Sequence, residues 1–445
     1  MSAFDITGLI EPPFGAVFSL AFFVACGAAK NVKFGKNDES RMSSSENTSH
    51  VMPTYRRTDL RFVSGNGAWL ETEAGEKYLD FGSGIAVNTL GHAHPRLVDA
   101  LKGQAEKLWH VSNLYEIPGQ EALAQRLCAE SFAELVFFCN SGSEAAEGMI
   151  KAMRKFHAAQ GQAERVTLIG FAGAFHGRTL SALAAAGNKD YLAGFGPAPG
   201  GFVQCPDFTM AALEPLIDET VAGIVIEPVQ GEGGVRTVPE AFLRQLRDLC
   251  DAKGLLLGFD EVQCGVGRTG KLFAHEWAGI TPDVMAIAKG IGGGFPLGAI
   301  LTTAAVGNCM QPGSHGSTYG GNPLAMAVGL EIMDIVCAPG FLDAVNDRAG
   351  YLRQQLSALI DKYPDIFTEL RGAGLMVGLK CACANSELVT ALRAQKLLAV
   401  PAGDNTVRLL PPLNIAQDEI SAGIEALERA CVQLHDQHDK KAGGA

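Results

Sequence analysis

The apolar positions of this chain fall into short unbroken runs, separated by stretches with helical spacing. Runs at 134–139, 165–170, 221–227, 255–260, 284–288 and 298–303 carry little alternation. Such runs predict strands buried on both faces. Residues 145–159 and 243–253 have the 3.6-residue period of amphipathic helices. Strand–helix–strand succession with right-handed crossovers predicts a mostly parallel sheet flanked by helices, an α/β fold. Residues 67–81 read as a strand–turn–strand hairpin. Helices are expected at 95–108, 120–132 and 341–363. Another runs from Pro323 to about Val336, with Asn322 as its cap. Residues 374–412 read as strands around a helix.

Two of the buried runs end in charge. The run at 284–288 stops at Lys289, followed by a glycine-rich stretch, and the run at 255–259 stops at Asp260. A lysine at the mouth of an apolar strand is costly to bury as an ammonium. The glycines beyond it admit close approach of backbone or ligand. Lys289 and Asp260 would emerge side by side from the carboxyl edge of one sheet, where open α/β folds bind ligands. A lysine for a Schiff base and an aspartate for a pyridinium nitrogen are what a pyridoxal phosphate enzyme needs.

Composition narrows the picture. The chain has 445 residues, 47% hydrophobic, enough for a large domain and a smaller one. A net charge of −12 argues against a nucleic-acid partner. Eleven cysteines without paired zinc spacing favour reduced thiols and a cytoplasmic protein. Residues 1–51 stand apart. Residues 12–29 are apolar and uncharged, at the short end for a membrane span, and a polar stretch follows at 37–51. We expect a non-catalytic extension, with no membrane association of the catalytic body.

Other features have a plain reading beside a functional one. Asn140, Ser141, Gly142, Ser143 and Glu144 form a turn into a helix. Ser141 suits an N-cap, and the same turn suits a phosphate seat. His92 and His94 lack a third ligand at suitable spacing, so no metal site is expected. Gly265 to Gly270 fits G-x-G-x-x-G, but the residues after it do not open a long helix, so dinucleotide binding is not expected. Arg408 sits inside a short apolar strand, either as an edge charge or as a carboxylate clamp.

Together the Ser-Gly-Ser turn, FHGRT at 175–179, EPVQGEGG at 227–234, FDEVQCGVGRTG at 259–270, the lysine of AKG, HGSTYGGNP at 315–323 and RLLPPL at 408–413 resemble the class III aminotransferases of pyridoxal phosphate fold type I. The resemblance covers about residues 52–430, and within the family it points to the branch acting on N-acetylornithine. It implies pyridoxal 5'-phosphate held by Lys289, which also shuttles the proton, with Asp260 on the ring nitrogen. Val262 and Phe175 would pack on the two ring faces and Gln263 would reach the ring hydroxyl. Ser141, Gly142 and Ser143 would seat the phosphate, with Thr318 of a second subunit, so a homodimer is implied.

For substrates, the resemblance implies that Arg178, with Tyr55, binds a carboxylate, and that Ser317 is a further substrate-binding residue. Arg408 would bind the α-carboxylate of glutamate, with Glu232 as its gate. It also implies an extension at 1–51, a small domain from 52–105 and 344–440, and a large domain at 106–343. The implied reaction moves the terminal amino group of N-acetylornithine to 2-oxoglutarate, in arginine biosynthesis. Gly84 stands where relatives using free ornithine tend to carry tyrosine, which favours an acylated amine. Ornithine, succinylornithine, succinyl-diaminopimelate and 4-aminobutyrate remain alternatives, as does a racemase or aminomutase on the same fold.

Overall fold

The computed structural model describes residues 50–442, with side chains described to Asp436. The chain divides into two units, Met1–Asp59 and Leu60–Ala445. The apolar stretch at 12–29 and nearly all of the expected extension lie outside the described residues. Within the first unit, residues 50–59 form no helix or strand, and Tyr55 belongs there. The site below is therefore built from Leu60–Ala445 alone.

A seven-stranded sheet forms the centre of the larger unit. Its order is Leu135–Cys139, Gly298–Thr302, Val284–Ile287, Leu256–Asp260, Val221–Ile226, Thr167–Phe171 and Phe202–Cys205. Only Gly298–Thr302 runs antiparallel to its neighbours. The inner strands are buried at every position, as their unbroken apolar runs require. Gly142–Ala159 packs Met149, Ile150 and Met153 against one face. Glu240–Lys253 buries Phe242, Leu243, Leu246 and Cys250 in the core on the other. Pro323–Val336 begins where the sequence reading puts it, with the Asn322 side chain accepting from the Ala325 amide at 2.9 Å.

A separate apolar core joins residues distant in sequence. Ala68, Leu79 and Phe81 share it with Val345, Leu352, Leu379, Val407 and Leu427. Two four-stranded sheets flank it, one of Phe62–Asn66, Trp69–Thr72, Lys77–Asp80 and Leu397–Leu398, the other of Phe367–Ala373, Met376–Cys381, Thr406–Leu409 and Val400–Ala402. Leu397–Leu398 runs parallel to Lys77–Asp80. That pairing is non-local and leaves no signature in a local window.

Four details depart from the sequence reading. Phe62–Asn66 is an additional edge strand, and Gln417–Ala442 is a long terminal helix that the reading did not include. The helix expected from residue 145 starts at Gly142. A carboxylate does meet His92: its Nε2 lies 2.8 Å from Asp80 Oδ2, and Asp80 Oδ1 accepts from the Gly82 and Ser83 amides. The pair pins the loop of Ser83–Ala86, which carries positive φ throughout. The Gly265 to Gly270 loop leads only to the four-residue helix His275–Ala278. Its Arg268 is buried and donates to Leu375 O and Pro411 O at 3.2 and 2.5 Å, binding the loop to the second core. Among the described residues no single helix is long and apolar enough to cross a membrane.

Candidate active site

The strands ending in Asp260 and next to Lys289 are parallel neighbours, with Asp260 in register with Ala286. Both side chains line one cavity of about 340 Å³, and Ser141, Gly142, Ser143, Phe175, His176, Glu227, Val262 and Gln263 line it with them. Eight residues singled out from sequence thus share a single cavity. Lys289 itself has φ +48, a left-handed backbone uncommon for a side chain of its size. The glycines after it then fold back as Lys289–Gly292.

Asp260 is 3% exposed and uses both oxygens. Oδ1 accepts from the Val262 amide at 3.0 Å, and Oδ2 accepts from His176 Nδ1 at 2.8 Å. Each carboxylate oxygen has two lone pairs, so capacity remains for one more donor. Burial works against charge on His176. The hydrogen bond and the charge of Asp260, helped by Glu227, outweigh it and raise the imidazole pKa above its usual value. Its Nε2 is buried without a partner. Glu227, buried at the same wall, is pushed up to about 8, chiefly by desolvation, and its Oε2 accepts from the Phe175 amide at 2.9 Å. Burial likewise lowers the Lys289 pKa, against the opposing pull of Asp260 and Glu232. The lysine is therefore more readily neutral than a solvated one.

The helix Gly142–Ala159 points its start at the cavity. Ser141 Oγ, at the N-cap, accepts from the Glu144 amide at 3.3 Å, while Glu144 Oε2 accepts from the amide of Asn140, one residue before the cap, at 2.6 Å. The amides of Gly142 and Ser143 have no acceptor within the helix. A Cβ on Gly142 would come within 2.7 Å of Val262 Cγ1, so only glycine lets the helix start approach that wall. Ser317 adjoins this turn through Asn140 Nδ2 at 3.3 Å, but it does not line the cavity. Thr318 is exposed and also lies off it.

Two arginines stand near the cavity in opposite settings. Arg408 is 1% exposed. Its Nη1 lies 2.7 Å from Glu232 Oε1 and donates to Gln263 Oε1 at 3.0 Å, while Nη2 donates to Pro401 O at 3.3 Å. Gln263 therefore belongs as much to the arginine as to the cavity. Arg178 is exposed, and its guanidinium lies over the Tyr191 ring at 3.9 Å from the centroid. Phe175, Tyr191, Glu232 and Pro401 line an open cleft beside the cavity. Sequence reasoning did not single out His176, Glu227 or Tyr191 for a role. The only signal was the place of His176 in FHGRT and of Glu227 in EPVQ; Tyr191 lies outside both motifs.

The arrangement offers an electrostatically balanced lysine and aspartate, a helix start for an anion, and two guanidinium groups. Comparison with known proteins identifies the set. The family model for aminotransferase class-III matches residues 52–431. Acetylornithine aminotransferase 1 of Bradyrhizobium diazoefficiens is 55% identical over 393 residues, covering 88% of this chain and 97% of that protein. The acetylornithine aminotransferase of Rhodobacter capsulatus is 56% identical, covering 87% and 98%. Among solved structures, an ornithine aminotransferase from Toxoplasma gondii matches with a TM-score of 0.83 at 29% identity, covering 88% of this chain and 94% of that one. N-acetylornithine aminotransferase from Stenotrophomonas maltophilia matches with a TM-score of 0.76 at 35% identity, covering 86% and 98%. With its motifs, fold and relatives in agreement over most of its length, the chain belongs to the class III aminotransferases of pyridoxal phosphate fold type I.

Proposed function

We propose that this enzyme moves the terminal amino group of N-acetylornithine to 2-oxoglutarate, giving N-acetylglutamate semialdehyde and glutamate by a ping-pong cycle. The observation that carries this reading is the pairing of Arg408 with Glu232 at 2.7 Å beside the cavity, while Arg178 stands open. An aminotransferase must accept two donors of different shape in one site. Glutamate brings two carboxylates and calls on both arginines. N-acetylornithine brings one, and Glu232 then neutralises Arg408. Curated relatives named for acetylornithine, at 52–56% identity, support the same substrate. Gly84, at φ +62, leaves the loop near Asn88 without a side chain.

The cavity fits pyridoxal phosphate by its donor set and by the closeness of Gly142 to Val262. When bound, the cofactor supplies an electron sink for the carbon that exchanges its amine. In this reading Lys289 holds it and moves a proton at Nζ, for which its lowered pKa suits it. Asp260 would pair with the ring nitrogen of the bound cofactor and favour its protonated form, and His176 Nδ1 holds the carboxylate through Oδ2 at 2.8 Å. Val262 and Phe175, which line the cavity, would cover the two faces of a bound ring and exclude water. Gln263 couples the ring side of the cavity to Arg408. Ser141, Gly142 and Ser143 seat the phosphate. The exposure of Thr318 supports its crossing to the site of a second subunit in a homodimer. Ser317 belongs to the substrate side. The domain division at 52–105, 106–343 and 344–440 is part of this proposal, and the shared core of Leu79, Phe81, Val345 and Leu427 supports it.

Initial rates with 2-oxoglutarate and a panel of N-acetylornithine, ornithine, succinylornithine, succinyl-diaminopimelate and 4-aminobutyrate test the substrate. N-acetylornithine should give the highest kcat/KM. A higher value for free ornithine would overturn the reading. Borohydride reduction of the holoenzyme and peptide mapping should find the cofactor on Lys289.

A further inference from the structure

We infer that Tyr191 is a positioning residue that holds the Arg178 guanidinium flat, with its edge presented to a substrate carboxylate. This rests on the reading of Arg178 as a carboxylate site. The backbone of Arg178 is fixed by its neighbours. Its amide donates to Ser143 Oγ at 3.1 Å, and Thr179 Oγ1 donates to Glu147 Oε1 at 2.5 Å. Those bonds tie the segment to the helix Gly142–Ala159. They leave the long, exposed arginine side chain unrestrained. No described carboxylate pairs with it. What it touches is aromatic: the Tyr191 ring at 3.9 Å and the Phe175 ring at 5.6 Å from their centroids.

The chain builds this contact deliberately. After Arg178 it runs through the buried helix Leu180–Ala186 and stops at Gly187, φ +66, where a Cβ would come within 2.4 Å of Gln204 Cγ. Asn188 then caps the short turn Lys189–Leu192, its Oδ1 accepting from the Asp190 and Tyr191 amides at 3.0 and 3.2 Å. That turn returns Tyr191 over the arginine that the segment left. Tyr191 also packs edge-on to Phe175, at 6.4 Å and 89°. A ring face attracts the guanidinium face and leaves its in-plane N–H groups free. Those groups are the ones that match a carboxylate two by two. Ordering a long arginine on binding is costly, and a ring that orders it beforehand removes that cost from substrate binding.

The test uses holoenzyme and single-turnover kinetics with N-acetylornithine. It also uses N-acetyl-1,4-diaminobutane, the same molecule without its carboxylate. Tyr191→Leu should weaken half-saturation by N-acetylornithine about 2- to 5-fold, the range a surface cation–π contact spans, with the limiting rate within roughly twofold. Tyr191→Phe keeps the ring and should restore wild-type half-saturation. The carboxylate-free amine should respond to neither variant. Unchanged half-saturation in Tyr191→Leu would overturn the inference, as would an equal loss for both amines or a Phe variant as poor as the Leu one. Arg178→Met separates the two levels. If it leaves N-acetylornithine half-saturation unchanged, the carboxylate reading of Arg178 falls, and this inference with it. If it weakens binding while Tyr191→Leu does not, only the role of Tyr191 falls.

Discussion

Arg408 and Arg178 border the same cavity and are built on opposite principles. Arg408 lies in the strand Thr406–Leu409, 1% exposed, with a carboxylate, an amide oxygen and a backbone carbonyl around it. Arg178 is exposed, and among the described residues its guanidinium meets rings and no carboxylate. A buried cation cannot stand unpaired, so its partner must be present whenever substrate does not supply one. An exposed cation has water as a fallback and can wait. Burial thus turns one arginine into a switch and exposure leaves the other a constant binding point. The same contrast runs deeper, because Asp260, His176, Glu227 and Lys289 share the buried side.

The largest expected effect sets the baseline for that contrast. Lys289→Ala should cut both half-reactions on the order of 10⁴-fold or more, since no other described lysine lines the cavity. The loss should be equal for glutamate and N-acetylornithine. Single-turnover absorbance with each donor measures it, and an unequal loss would show that Lys289 also helps to choose between donors.

Arg408→Met should split the donors. Glutamate loses a buried guanidinium for its α-carboxylate, a fall of roughly 10²- to 10³-fold in its half-reaction. N-acetylornithine does not call on Arg408 and should fall much less, although Glu232 is left without its partner. Equal losses would mean that Arg408 only supports the strand.

How much of this contrast was legible beforehand follows from how each residue is specified. Lys289 and Asp260 end unbroken apolar runs, so their strands, edge and proximity could be read locally. Arg408 was visible as a charge inside an apolar strand, but not its burial. Its partners Glu232 and Gln263 lie on distant segments joined by tertiary packing, so the pairing with Glu232 was available only through the family resemblance and that with Gln263 not at all. His176 meets Asp260 across 84 positions. Tyr191 sits in a four-residue turn too short for any periodicity to register. Phe62–Asn66 is an edge strand of mixed polarity, so it lacked the apolar run that betrayed the inner strands.

Glu232→Ala should have a smaller and asymmetric effect. The glutamate half-reaction should hold or quicken, because nothing then competes for Arg408. The N-acetylornithine half-reaction should fall, as Arg408 loses its carboxylate. The geometry limits that loss: Gln263 Oε1 and Pro401 O still accept from the guanidinium. About tenfold is expected rather than a hundredfold, close to 1.4 kcal/mol. Equal losses for both donors would reduce Glu232 to a structural residue.

The last effect concerns pH and stability, with no change expected in turnover, and it should belong to the buried side alone. Glu227 is raised from 4.5 to about 8 by burial, so it stays neutral in the folded protein while the unfolded chain ionises. The unfolded state then binds fewer protons, and stability falls as pH rises from about 4.5 toward about 8. The raised His176 acts in the same direction: its contribution is full below 6.5 and is lost as pH rises through its higher folded value. Glu227→Gln removes the first effect and keeps an oxygen for the Phe175 amide. In the cofactor-free protein the variant should gain on wild type as pH rises from 5 to 8, by up to about 3 kcal/mol at the upper end. Arg178→Met, on the exposed rim, should follow the wild-type pH profile. Thermal denaturation of the three proteins across that range reads the differences. Parallel curves for wild type and Glu227→Gln would place the Glu227 carboxyl among ordinary solvated acids, and the contrast between the two sides would lose its electrostatic half.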